Sequence, residues 1–119
     1  MLEPSDMIIY VNNLAKSSVF YQDLLGLHPQ EHSPSFALFK LRNGLGLGLK
    51  EKHTVHPAAE GLNGYELAFT MPNPTEVDTL FLKWQAKGIH FAQTPTEVSF
   101  GYTFLALDPD NNRLRVLSR

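Results

Sequence analysis

Asp6-Met-Ile-Ile-Tyr-Val-Asn-Asn-Leu14 and Glu66-Leu-Ala-Phe-Thr-Met-Pro-Asn-Pro74 stand about half a chain apart and follow one plan. Each opens on an acid, alternates for a few residues and passes through Asn13 or Asn73. A helical pattern follows in both, ending at Gly26-Leu27-His28 or Gly88-Ile89-His90. Self-similarity at a long period marks a duplicated supersecondary unit, so the chain reads as two copies of one module, with any site on the seam between copies.

Working outward, Asp6 to Val11 alternates as a strand does, with Met7, Ile9 and Val11 on one face and Asp6, Ile8 and Tyr10 on the other. Asn13 is placed to cap a helix over Leu14 to Leu25. Its apolar stripe is Leu14, Val19 or Phe20, Tyr21, Leu24 and Leu25, and Gly26 supplies a left-handed stop. Leu27 to about Glu31, Phe36 to Leu41 and Leu45 to Leu49 follow as short strands. Arg42-Asn43-Gly44 is a hairpin turn, because Asn-Gly tolerates positive φ.

The stretch Glu51 to Asn63 carries His53, His56, Pro57 and Gly61 without periodicity and reads as a linker, with the boundary near Gly61. The pattern restarts at Tyr65, placing Glu66, Ala68 and Thr70 on one face and Leu67, Phe69 and Met71 on the other. Asn73 caps a second helix, Pro74 takes its first position and Glu76 stands where a capping-box acid belongs. Val77, Leu80, Phe81 and Trp84 form its apolar face, and Gly88 ends it. Ile89 to Ala92, Tyr102 to Asp108 and Arg113 to Leu117 complete the second set of strands.

A chain of 119 residues with 43% hydrophobic and 18% charged side chains can bury a core without a metal or disulfide staple. The expectation is one domain of two tandem modules, residues 1–60 and 61–119. The absence of cysteine removes disulfides, thiol nucleophiles and thiolate metal sites, and favours a reducing compartment. A net charge of −2 gives no electrostatic footprint for nucleic acid. No apolar run is long enough for a membrane span, and Met1 to Asp6 lacks a basic region followed by an apolar core. The expected location is cytoplasmic.

Two longer motifs carry a family resemblance. Val11-Asn-Asn-Leu-Ala-Lys-Ser-Ser-Val-Phe-Tyr-Gln-Asp-Leu-Leu-Gly-Leu27 resembles the first-module signature of the vicinal oxygen chelate superfamily. Leu107-Asp-Pro-Asp-Asn-Asn-Arg-Leu-Arg-Val116 resembles its closing Asp-Pro-Asp-Gly-x-x-Ile-Glu-Leu motif. That superfamily includes glyoxalases, extradiol dioxygenases and bleomycin-resistance proteins. The resemblance implies an α+β fold of two βαβββ modules forming a curved, cup-shaped mixed sheet with helices on the outer face, and a homodimer.

In metal-dependent members, the resemblance puts ligands near the start of each module's first strand and on each module's last strand. Here those metal-equivalent positions fall on Asp6, Glu66, Arg115 and Gly48, or Gly46 in place of Gly48. A guanidinium has no lone pair to give and already carries positive charge, which disfavours a divalent metal cofactor. Arg115 is instead expected to fill the metal's place and pair with Asp6, Glu66 or both, since unpaired buried charge is costly.

Strand parity supplies the remaining lining. Tyr10 and Ile8 accompany Asp6, and Arg113 and Leu117 accompany Arg115. Phe36, Leu38 and Lys40 face inward if Ala37 and Phe39 pack on the helix. Tyr102, Phe104 and Ala106 face inward if Leu105 and Leu107 form the helix-facing core. The expected site is therefore aromatic, with Tyr10, Phe36, Tyr102, Phe104, Arg113 and Arg115 as ligand-binding residues for a small aromatic or amphiphilic molecule. The alternative is a metal-dependent lyase, isomerase or dioxygenase. A metal-free enzyme would use Glu66 as its catalytic base, with burial raising its pKa. His53 and His56 are expected to be solvent-exposed, without an acidic partner.

Overall fold

In the computed structural model, residues 5–56, 58 and 66–119 are described here. The expected restart at Tyr65, and the linker positions 57 and 59–63 with the boundary at Gly61, lie outside them. The chain divides into two compact units, Met1–Gly61 and Leu62–Arg119.

The first unit runs β1 (Asp6–Val11), α1 (Leu14–Leu25), β2 (Glu31–His32), β3 (Phe36–Lys40) and β4 (Gly46–Glu51), closing on a 3-10 turn at Lys52–Thr54. Its sheet order is β1-β4-β3-β2, with β1 and β4 parallel and the other pairs antiparallel. The second unit repeats this as β5 (Glu66–Thr70), α2 (Pro74–Ala86), β6 (His90–Val98), β7 (Gly101–Leu107) and β8 (Arg113–Ser118), in the order β5-β8-β7-β6. The fold is α+β, two βαβββ modules with mixed sheets.

Local chemistry sets the helix ends. The Asn13 Oδ1 accepts from Lys16 N–H at 3.0 Å, and the Asn73 Oδ1 accepts from Glu76 N–H at 2.9 Å. These bonds satisfy amides that a helix start leaves without intrahelical partners. Gly26 ends α1 at φ 68°, and its N–H donates to Gln22 O. A further link ties α1 to the sheet, because Leu14 N–H donates to the Glu51 carboxylate at 2.7 Å.

One face of each sheet is its core. Ile9, Val11, Ala37, Phe39, Leu47 and Leu49 are buried with Leu14 and Tyr21 in the first unit. In α1 the stripe differs from expectation: Ser17 and Ser18 are buried, whereas Val19 is 68% exposed. Close approach of a helix to a sheet favours small residues, and hydroxyls tolerate burial when they find partners. The strand expected over Leu27 to Glu31 contracts to Glu31–His32, while β6 extends to Val98 instead of ending near Ala92.

In the second unit Val77 and Trp84 of α2 are buried over the sheet, where Phe104 is fully buried among aromatic rings. Its ring centroid lies 5.6 Å from Phe81, 5.5 Å from Trp84 and 5.6 Å from Phe91, each near edge-to-face. Such pairs add to the stabilisation of area burial.

Candidate functional site

Opposite the helix, the register of the first unit arranges its open face in three rows. Tyr10 pairs with Lys50 and Lys50 with Phe36; Ile8 pairs with Gly48 and Gly48 with Leu38; Asp6 pairs with Gly46 and Gly46 with Lys40. Paired residues project to the same side of a sheet, so each row is a set of neighbours. Asp6, Ile8, Tyr10, Phe36, Leu38 and Lys40, expected to share a face, do so in this register.

The central strand contributes two glycines to this face, which lets flanking side chains close over it. A Cβ on Gly48 would stand 2.6 Å from Ile8 Cδ1 and 3.0 Å from Phe36 Cε1, and one on Gly46 would meet the Asp6 carboxylate. The result is an apolar floor beside Lys50. Above it lies a depression of about 490 Å³ bordered by Ile8, Tyr10, Phe36, Lys50, Val55 and His56, within the size range of small-molecule sites. Tyr10 and Ile8 are 43% and 44% exposed here, unusual for apolar side chains sharing one patch.

Lys50 is a residue that sequence reasoning missed. Ending the strand at Leu49 removed it from the parity argument, whereas β4 continues to Glu51. Lys50 and Glu51 therefore face opposite ways. The Glu51 carboxylate is engaged on the other side by Leu14 N–H and, at 3.2 Å, by His53 Nδ1. His53 is exposed as expected, but it does have an acidic neighbour.

The open face of the second unit has the same scaffold and different chemistry. Its rows are Thr70–Leu117–Thr103, Ala68–Arg115–Leu105 and Glu66–Arg113–Leu107. Matching Asp6 to Glu66 makes Gly48, rather than Gly46, the counterpart of Arg115. Arg115 forms a two-bond pair with Glu66, with Nε to Oε1 at 2.8 Å and Nη2 to Oε2 at 3.1 Å. Its Nη1 donates to Thr103 Oγ1 at 3.0 Å, and that buried hydroxyl donates onward to Val116 O at 2.7 Å. The guanidinium carbon also stands 5.4 Å from the Phe100 ring centroid, within cation–π range. Thr103 and Phe100 were not legible as partners until the register was known.

Pairing with Arg115 holds the Glu66 carboxyl below its ordinary pKa, chiefly through the hydrogen bond, with burial opposing it. The expectation that burial would raise Glu66 into the range of a general base is thus corrected. A depressed carboxylate contributes stability at pH above its unfolded pKa and loses it as pH falls through the folded one. Arg115→Met is expected to cost about 1–2 kcal/mol at neutral pH, after discounting for solvent at Glu66. In urea titrations, the gap to the parent protein should narrow below about pH 4. A gap independent of pH would mean that packing, not the ion pair, carries the effect.

Phe104, Tyr102 and Ala106 are on the other face from Arg115, which corrects their expected inward placement. Phe104 pairs with Val116 and Leu105 with Arg115, so Phe104 belongs to the helix-facing core. Tyr102 reaches α2, where its hydroxyl donates to Asp78 Oδ1 at 2.6 Å, a bond that raises the phenol's pKa. The run Phe104 to Leu107 is apolar on both faces, so leucines and phenylalanine competed for the core without a polar marker. Arg113 keeps its expected face and is exposed.

In neither unit do the positions expected to hold a metal offer a donor set that fits a divalent ion. Gly46 and Gly48 offer no side-chain donor, both oxygens of Glu66 accept from Arg115, and guanidinium has no lone pair. Among the described residues, no three His, Cys, Asp or Glu side chains gather where they could hold a metal.

Comparison with known proteins agrees with this architecture. The family model for the Glyoxalase/Bleomycin resistance protein/Dioxygenase superfamily matches residues 5–116. The chain is 29% identical over 118 residues to the phenazine antibiotic resistance protein EhpR of Enterobacter agglomerans, covering 97% of this chain and 91% of that protein. A solution NMR structure of an Agrobacterium tumefaciens protein is 48% identical, with a TM-score of 0.90 over 99% of this chain and 98% of that one. A glyoxalase-related enzyme from Fulvimarina pelagi shares the fold at 18% identity, with a TM-score of 0.86 over 100% of this chain and 89% of that one.

Proposed function

The chain belongs to the glyoxalase/bleomycin resistance protein/dioxygenase superfamily, and on that premise we propose that it is a metal-independent binding protein for a small planar aromatic compound. The observation that carries this reading is the pair of an exposed Tyr10 and a half-buried Phe36, set on either side of β4 over an apolar floor in the first unit. Flat rings bury large area at low entropic cost, and their faces complement another π-system. Similarity to a phenazine antibiotic resistance protein supports the ligand class. In this reading Glu66 is the counter-ion of Arg115, not a base. Assembly as a homodimer and a cytoplasmic location belong to the same proposal.

Isothermal titration with phenazine-1-carboxamide, in the presence and absence of EDTA, tests it. The expected result is a micromolar Kd that the chelator leaves unchanged, and Tyr10→Ala or Phe36→Ala should weaken binding about tenfold, or about 1.4 kcal/mol. Binding that requires an added divalent ion, or that survives both substitutions, would overturn the proposal.

A further inference from the structure

We propose that Lys50 makes the site selective for aromatic compounds carrying an anionic substituent, an inference that rests on the binding reading above. Lys50 is the middle member of the row Tyr10–Lys50–Phe36, so its side chain leaves the sheet between two aromatic residues and borders the depression. A ring laid against Tyr10 and Phe36 brings its own substituents to that charge.

Three observations make this cation available to a ligand. Its sequence neighbour Glu51 faces the helix side and is engaged by Leu14 N–H and His53. Two acids share this face and neither is on the row of Lys50: Asp6 stands on the third row, at the far end of β1, and accepts from Ser5 Oγ at 2.8 Å, and Glu31 pairs with Leu38 on the middle row, on β2, two strands from β4. Among the described residues, no carboxylate is paired with Lys50. The other cation on this face, Lys40, shares its row with Asp6, so positive charge without a nearby acid is concentrated at the aromatic end.

The half-buried position of Lys50 sets the scale. A charge pair there is weaker than a buried one but stronger than one fully in water. The duplicate unit offers a contrast, since its matching row is Thr70–Leu117–Thr103, without cation or aromatic ring. The same scaffold thus carries a ring-and-cation row in one copy alone.

Phenazine-1-carboxylate and phenazine-1-carboxamide are nearly isosteric and differ in charge, so their affinity ratio isolates the contribution of the anion. At about pH 8, above the ordinary range of histidine protonation, the carboxylate is expected to bind about fivefold tighter by titration calorimetry. Lys50→Met should bring the ratio to about one, and Lys50→Arg should retain it. In the unmodified protein, raising salt from about 0.05 to about 0.5 M should shrink the ratio, as screening requires. Equal affinities in the parent protein, or a ratio that survives Lys50→Met or ignores salt, would overturn the role of Lys50 while leaving aromatic binding intact. Failure of both compounds to bind would instead overturn the binding reading, and this inference with it.

Discussion

Phe104→Ala is expected to lower the stability of the second unit by about 3–5 kcal/mol, the range for deleting a fully buried phenylalanine. The ring is 0% exposed and is enclosed by Phe81, Trp84 and Phe91, so its loss leaves a cavity that three rigid rings cannot fill. Trp84 is the single tryptophan of the chain and lies 5.5 Å from Phe104. Its fluorescence therefore reports urea unfolding at the place of the mutation. The milder Phe104→Leu should remain folded and bind phenazine-1-carboxamide within about twofold of the parent. Lost affinity with unchanged stability would place Phe104 in the ligand site, as strand parity alone suggested.

The second large effect is expected at Asp108, in the turn that launches β8. The residue is 4% exposed. Oδ1 accepts from the N–H groups of Asp110 and Asn112, each at 2.8 Å, and Oδ2 accepts from Asn112 Nδ2 at 2.9 Å. Asp108→Ala should cost about 3 kcal/mol, because buried donors are left unpaired and charge-assisted bonds are lost. Asp108→Asn should cost less, about 1–2 kcal/mol: it keeps an oxygen for the two backbone donors but sets one amide nitrogen against that of Asn112. Urea unfolding read at Trp84 measures both. Equal costs for the two variants would show that charge, not the acceptor pattern, holds the turn.

That turn also explains where the chain departs from its family motif. The glycine of Asp-Pro-Asp-Gly is replaced by Asn111, which has φ 64°. Asparagine tolerates the left-handed region better than most non-glycine residues. The turn keeps its shape, and β8 still delivers Arg113 and Arg115 to the open face.

Much of the fold was legible because duplication, caps and alternation are local signals. Asn13, Gly26, Asn73 and Pro74 bound their helices by chemistry contained within a few residues, and β1 alternates clearly enough to sort Ile9 and Val11 from Ile8 and Tyr10. The weak points were short or two-sided segments. Leu27 to Glu31 has little periodicity to read, and Phe104 to Leu107 is apolar on both faces.

The candidate site divides in the same way. By itself, the sequence determined that two βαβββ modules form and that Tyr10 and Phe36 share a face with Asp6. Only the tertiary structure decided that Arg115 grips Glu66 and Thr103, that Phe104 belongs to the core, and that Lys50 sits between two aromatic residues. Those outcomes depend on pairing between strands distant in sequence. Hydrogen-bond register selects the neighbours of each side chain.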